Sequence, residues 1–327
     1  MKRYYFLLLF PCLLLAPVRT LLAEPETSLK QQPARITSYA NEEMILGATH
    51  ADKRLITVGD HGTILLSDDD GKTFRQAKSV PTRATLNSVS FANKSIGWAA
   101  GHWGTILKTT DGGETWILQR TDTSTDRPLF AVHAIDAGHA VAVGLWSFVL
   151  TTADGGAQWG NVKLSLPPDG GKADRNLFGL FSNSGILYAS AERGLILRSN
   201  DNGNTWSYLS TGYKGTFWAG IALSDGTLLV GGLRGTVFRS SDAGKTWQQV
   251  DSHGKSSITA FSASGNSIVA VGLDGVVLQS TDGGLTFTAS QREDRTALTA
   301  VVSTAAGAVL FSKGGVVSNS ASTIQTQ

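Results

Sequence analysis

Beyond its first two dozen residues the chain is punctuated at short range. Brief apolar, β-branched-rich runs alternate with clusters of Gly, Asp, Asn and Ser, and no stretch sustains the period of an amphipathic helix. From Leu86 onward LNSVSF, SIGWAAG, GTILKT and TWILQR read as four successive strands, A to D, each closed by turn residues. The pattern predicts an all-β chain.

The punctuation itself repeats. SDDDGKTF, TTDGGETW, TADGGAQW, SNDNGNTW, SSDAGKTW and STDGGLTF share one frame, with central aspartates Asp69, Asp111, Asp154, Asp201, Asp242 and Asp282 spaced 42, 43, 47, 41 and 40 residues apart. That spacing is the length of a four-stranded propeller blade. A strand–turn–strand element precedes each box, with turn glycines Gly62, Gly104, Gly194, Gly235 and Gly275, and Ser147 in the third unit. Gly315 follows Gly275 by 40 residues and marks a seventh unit, which stops before any box. The expected architecture is a seven-bladed β-propeller over residues 34–320, followed by a tail at 321–327. The seventh unit lacks strand D, and the extended segment Ala34–Tyr39 is expected to supply that outer strand and close the ring. An open ring would leave unpaired strand edges.

Each box is an Asp box, the bacterial neuraminidase repeat. Carboxylate oxygens can accept backbone N–H groups within a tight turn, and Gly admits the backbone that turn needs. The six aspartates are therefore expected to staple hairpins rather than to perform chemistry. A calcium loop would need alternating carboxylates ending in Glu, which no box continues.

The N-terminus has a different composition. Lys2 and Arg3 precede an apolar run and a small residue at Ala23, the pattern of a secretory signal cleaved near Ala23. Residues 24–33 then form a linker, and the mature chain would be periplasmic or secreted. The single Cys, Cys12, lies inside the leader, so neither a disulfide framework nor a thiolate metal site is expected. The whole chain carries 28 basic and 26 acidic groups; residues 1–23 hold Lys2, Arg3 and Arg19 and no acid, leaving 25 against 26. A generally cationic nucleic-acid binder is disfavoured.

If the repeat dictates the fold, function belongs where repeats differ. The position before the turn glycine reads His61, Trp103, Trp146, Arg193, Arg234, Asp274 and Gly314. In the D–A loops a cation stands three residues before an early apolar residue of strand A: Arg83, Arg127, Arg175, Lys214, Lys255 and Arg295. B–C and D–A loops share one propeller face, opposite the Asp boxes. Two explanations stand. The cations could answer neighbouring acids, since Asp126, Asp174 and Asp294 directly precede three of them, or they could jointly meet an anionic partner. The candidate partner-binding set is Arg83, Trp103, Arg127, Trp146, Arg175, Arg193, Lys214, Arg234 and Arg295, facing an acidic segment of a protein from a membrane or exported complex. No small-molecule cofactor, metal or nucleic acid is expected.

The string Leu86–Trp116, with Gly-Trp-Ala, Gly-x-x-Gly-x-Ile-Leu and Asp-Gly-Gly-x-Thr-Trp in that order, resembles the photosystem II assembly/stability factor propeller family. The resemblance extends at repeat level over nearly the whole mature chain. It implies a seven-bladed propeller with an exported scaffold or assembly role, not catalysis; family members in oxygenic phototrophs act in the thylakoid lumen through an Arg-rich surface. The alternative is a sialidase-like or other carbohydrate-active propeller hydrolase. Against it, Ala34–Arg35–Ile36–Thr37 lacks the Pro of the sialidase Arg-Ile-Pro signature. Glu192 and Glu293 are candidate carboxylates without a matching Tyr, and a glycosidase needs two carboxylates across a cleft. His61 and His102, in turns of neighbouring blades, suit exposed polar turns better than a metal site.

Overall fold

The computed structural model describes residues 32–317 and the short strand Gln325–Thr326. The expected signal peptide, most of the linker and most of the tail lie outside the described residues. The remainder is all-β, in seven sheets: five run A to D from the inside outward, the sixth adds Gln325–Thr326 as a fifth strand, and the seventh has three strands among the described residues. Blade two shows the plan: Leu86–Phe91, Gly97–Gly101, Ile106–Thr109 and Ile117–Arg120 pair antiparallel in that order. The second strand of each blade lies between two neighbours in its sheet. Gly97–Gly101 and Ala140–Gly144 are buried along their whole length.

No blade has a core of its own. Ile56, Val58 and Leu66 of blade one meet Leu86, Ala99, Leu107 and Trp116 of blade two, and six further clusters repeat this sandwich around the ring. Cations reinforce the seams. Lys108 Nζ donates to the Gly155 carbonyl of the next blade at 2.6 Å, and Arg239 Nε to that of Gly283 at 3.1 Å. Between blades one and two, Arg54 and Arg75 hold Asp68 and Glu114, with Lys78 beside Glu114.

Seven blades are present, but they close differently from the expectation. Blade seven has three strands among the described residues: Leu298–Thr304, Gly307–Ser312 and Gly315–Val316. Ala34–Tyr39 does not join it. That segment lies along the outside of blade one, where Ala34 N–H donates to Val80 O at 2.9 Å and Thr37 N–H to Gln76 Oε1 at 2.7 Å. Closure comes from side-chain packing instead: Ile45, Leu55 and Leu65 of blade one bury against Ala300, Val302 and Phe311 of blade seven. Phe311 is fully buried and meets Phe74 edge-on at 5.9 Å. Burying a side chain of that size contributes roughly 1.5–3 kcal/mol. The seam is also tight at the backbone. Gly315 has φ +94°, and a Cβ there would lie 1.9 Å from the Asn41 carbonyl oxygen. The physical reason for the altered closure is that Gln76 Nε2 and Arg83 Nε hold the carbonyls of Arg35 and Pro33 on blade one.

Candidate functional site

In blades one to six the B–C connection is a single 3₁₀ turn whose middle residue is left-handed. His61, Trp103, Trp146, Arg193, Arg234 and Asp274 have φ between +53° and +61°. The following residue is also left-handed, a Gly in five blades and Ser147 in blade three. These turns rest on the D–A loops. His102 N–H donates to Thr85 O, Leu145 N–H to Pro128 O, and Leu233 N–H to Thr216 O. The Asp boxes meet the A–B turns instead: Gly112 N–H donates to Ser95 O and Gly155 N–H to Gly138 O. The two faces are therefore those the repeat order implies.

The candidate cations separate into two groups. Arg83, Arg127 and Arg175 serve the fold. Arg83 Nε donates to Pro33 O, and Arg127 donates to the carbonyls of Leu145 and Trp146 while lying 4.2 Å over the Phe148 ring. Burial depresses the Arg127 guanidinium below its ordinary range. Arg175 is only 7% exposed and pairs with Asp169 and Asp174. Three of the proposed partner contacts are thus already occupied inside the molecule. Neighbour pairing in sequence explains only Arg175, because Asp126 accepts from the Trp103 backbone and Asp294 pairs with Arg292.

The second group faces solvent. Arg193 has a side chain 61% exposed, with Asp169 3.3 Å away. Lys214 and Lys255 are exposed on the loops entering blades five and six, and Arg234 on the blade-five turn. No side-chain partner of these three is found among the described residues. Arg295 is exposed beside Asp274 at 3.5 Å. Trp146 is 57% exposed, whereas Trp103 is half-buried. The structure gathers Arg193, Lys214, Asp169, Leu195 and Ser210 around one open hollow of about 480 Å³. Asp169 was not singled out in the sequence; it sits on the loop that lengthens the third interval.

The box aspartates behave as staples. Asp111 Oδ1 accepts from Thr115 N–H at 3.0 Å and from Thr109 Oγ1 at 2.8 Å, and Oδ2 from Thr115 Oγ1 at 2.6 Å. Asp69 and Asp242 repeat this set, and their carboxyls are held down to about 2, first by the Thr73 and Thr246 hydroxyls respectively. Asp282 is lowered for the same reason, through Thr286. Asp201 keeps both Thr205 bonds, whereas Asp154 has Gln158 in place of that Thr and keeps only the backbone bond. The buried member of each box is not the aspartate but the hydroxyl two residues before it: Thr109 is 1% exposed and accepts the Gly113 N–H at 3.0 Å.

A feature of the site that the sequence reading missed lies at the axis. In every blade the pairing of the inner strand slips at its second residue, a β-bulge. The bulged residues are Leu46, Asn87, Phe130, Phe178, Trp218, Thr259 and Thr299, and all seven line a central channel of about 210 Å³. Because strand A starts from the D–A loop, this ring sits at the mouth on the face that carries the cations. Phe130 and Phe178 stack at 5.4 Å. The visible signal was the residue after each buried strand start; its meaning depends on the register. Gly179 permits the close approach of the inner strands, since a Cβ there would lie 2.8 Å from Ser190 Oγ and 3.2 Å from Trp218 O.

The carboxylates weighed for hydrolysis lie elsewhere. Glu192 accepts from the backbone and side-chain amides of Asn176, and Glu293 is exposed on the loop entering blade seven. No Asp or Glu is among the residues lining the channel. His102 Nδ1 lies 3.0 Å from Asp126, and the described residues contain no group of three or more potential metal ligands.

Seven blades around a narrow channel, with a cation-bearing face, define a seven-bladed β-propeller with a candidate protein-binding surface. A family profile described as "Photosynthesis system II assembly factor YCF48" matches residues 76–219. The solved structure described as "YCF48 bound to D1 peptide" superposes with a TM-score of 0.66 at 19% identity, covering 87% of this chain and 94% of that one. "YCF48 from Cyanidioschyzon merolae" gives 0.66 at 17% identity, with 87% and 97% covered. No curated protein matches. Residues 76–219 thus resemble the photosystem II assembly factor family, and the whole ring shares the propeller fold of the two solved structures.

Proposed function

We propose that the protein is an exported, non-catalytic assembly factor that binds an acidic segment of a membrane-complex or exported subunit through its B–C/D–A face. One observation carries this reading: Arg193, Lys214, Arg234 and Lys255 are exposed on that one face of blades four to six, and the last three have no acidic partner among the described residues. Positive charge is thus concentrated locally in a chain whose part beyond Ala23 holds one more acidic than basic group. Arg can take a carboxylate bidentately, and clustered charge speeds docking in a salt-dependent way. The D1 peptide bound by the similar propeller supports a peptide-like partner. The leader supports export to the periplasm or the cell exterior, with cleavage near Ala23.

The test is crosslinked recovery from solubilised membranes followed by mass spectrometry. Arg193→Glu with Arg234→Glu is expected to abolish recovery of a partner that wild type captures, with an unchanged melting curve. Lys245→Glu, on the Asp-box face, is the control. Equal recovery by the double variant, or equal harm from the control, refutes the assignment.

A further inference from the structure

The ring of bulged residues at the channel mouth is not uniform. Blades three, four and five present Phe130, Phe178 and Trp218 consecutively, and blade one presents Leu46, while blades two, six and seven present Asn87, Thr259 and Thr299. A bulge adds a residue that has no partner across the ladder, so the side chain is free of the blade's own packing and is turned toward the axis. The propeller does not need aromatics there, since Thr fills the same position in two blades. All three aromatics are half-buried at a rim where they remain accessible, and two of them already form a stacked pair.

The arc is also placed beside charge. Lys214 precedes Trp218 by four residues, and the exposed Arg193 borders the hollow with Lys214. The arc opens onto a channel of about 210 Å³. The occupant that suits both features is an extended peptide with carboxylates for the cations and one large apolar side chain for the mouth.

We infer that the channel mouth is a specificity pocket: Phe130, Phe178 and Trp218 receive one aromatic or large aliphatic side chain of an acidic peptide whose carboxylates rest on Arg193, Lys214 and Arg234. The inference rests on the peptide-binding reading above and adds what that reading lacks, a means of choosing among acidic segments. Charge alone selects weakly between acidic sequences, whereas a desolvated aromatic contact at the centre of an interface discriminates.

The experiment uses two fluorescein-labelled peptides built from Glu, Ser and Gly, one carrying a single central Phe and its twin carrying Ala, read by fluorescence anisotropy. Wild type is expected to bind the Phe peptide roughly tenfold or more tightly than its twin, the factor expected from partial burial of one such side chain. Phe178→Thr with Trp218→Thr is expected to remove that preference, so that the two peptides bind alike. Thr is the native residue at this position in blades six and seven, which guards against a folding defect, and the melting curve checks it. Equal binding of both peptides by wild type, a preference that survives the double substitution, or binding of neither peptide overturns the inference. The cation reading is tested separately. If Arg193→Glu with Arg234→Glu weakens both peptides equally while no Phe preference exists, the cation face stands and the pocket falls. If charge reversal affects neither peptide, the face reading itself falls.

Discussion

In each box the fold should depend more on the buried hydroxyl than on the aspartate. Thr109 is buried, its Oγ1 accepts the Gly113 N–H at 3.0 Å, and Gly113 is itself buried. Thr109→Val keeps shape and volume but removes that acceptor, stranding an N–H where water cannot reach it. A buried unsatisfied donor costs about 1–3 kcal/mol. For a single cooperative unit of this size that corresponds to roughly 2–5 °C in melting temperature. Asp111→Ala removes more hydrogen bonds, but Asp111 and Thr115 are exposed, so water replaces the lost partners. The expected cost is about 1 kcal/mol, the net worth of a solvent-accessible bond. Thr109→Ser should restore most of the loss. Chemical denaturation of the purified propeller, with partner recovery measured in parallel, checks the order. If Asp111→Ala costs more than Thr109→Val, or if Thr109→Val has no effect, the placement of the staple in the hydroxyl is wrong.

Three further outcomes are expected. Glu114 is held down to about 2, chiefly by the Arg75 hydrogen bond, so its share of stability is present above its ordinary value near 4.5 and is lost as pH falls toward 2; melting temperatures measured between pH 5 and 2.5 should fall, and less steeply for Glu114→Gln. His133 keeps some accessible surface but lies deep among the inner strands, and desolvation pushes it down to about 4. Its neutral form is therefore the one the fold favours, stability is lost as pH drops from about 6.5 toward 4, and His133→Gln should flatten that part of the curve. Deleting residues 32–37 should uncover the outer edge of blade one and leave the seam between blades seven and one intact, which hydrogen exchange resolves; increased exchange in Leu298–Thr304 would contradict packing-based closure.

The repeat made the blade count legible because each blade needs the same turn chemistry at the same spacing. The faces were legible for the same reason. Closure was not, because an unpaired extended segment and a blade lacking an outer strand look complementary in sequence. The hydrogen bonds that decide the matter come from Gln76 and Arg83, roughly forty to fifty residues from the carbonyls they hold. The cation series was legible as positions but not as roles. Asp126 adjoins Arg127 in the chain, yet turns toward His102 and Trp103, while Arg127 reaches forward to the carbonyls of the next turn. The mouth residues were legible only as an unremarked column after each buried strand start, because facing the axis is a consequence of register.

The left-handed turn position explains how one face can vary without disturbing the fold, and it supplies a sharper test than alanine. Arg234 has φ +57°, and its N–H lies 3.3 Å from Ser257 Oγ, so the backbone of this residue does structural work while its side chain projects into solvent. An L-residue in this conformation is strained by roughly 1–2 kcal/mol, and Gly is not. Gly in turn costs about 0.5–1 kcal/mol through the greater freedom of the unfolded chain. The two terms nearly cancel, so Arg234→Gly should leave the melting temperature within about 2 °C of wild type or slightly above it, while deleting the guanidinium entirely. Arg234→Val should be worse, because a β-branched side chain resists positive φ. The same logic applies to Arg193 at φ +56° and Trp146 at φ +53°. These Gly variants remove one contact each from the face without perturbing the frame, so a fall in partner affinity reports side chain and not turn. If Arg234→Gly melts far below wild type, the side chain is part of the fold, and the separation of a constant backbone from a variable recognition surface fails at this blade.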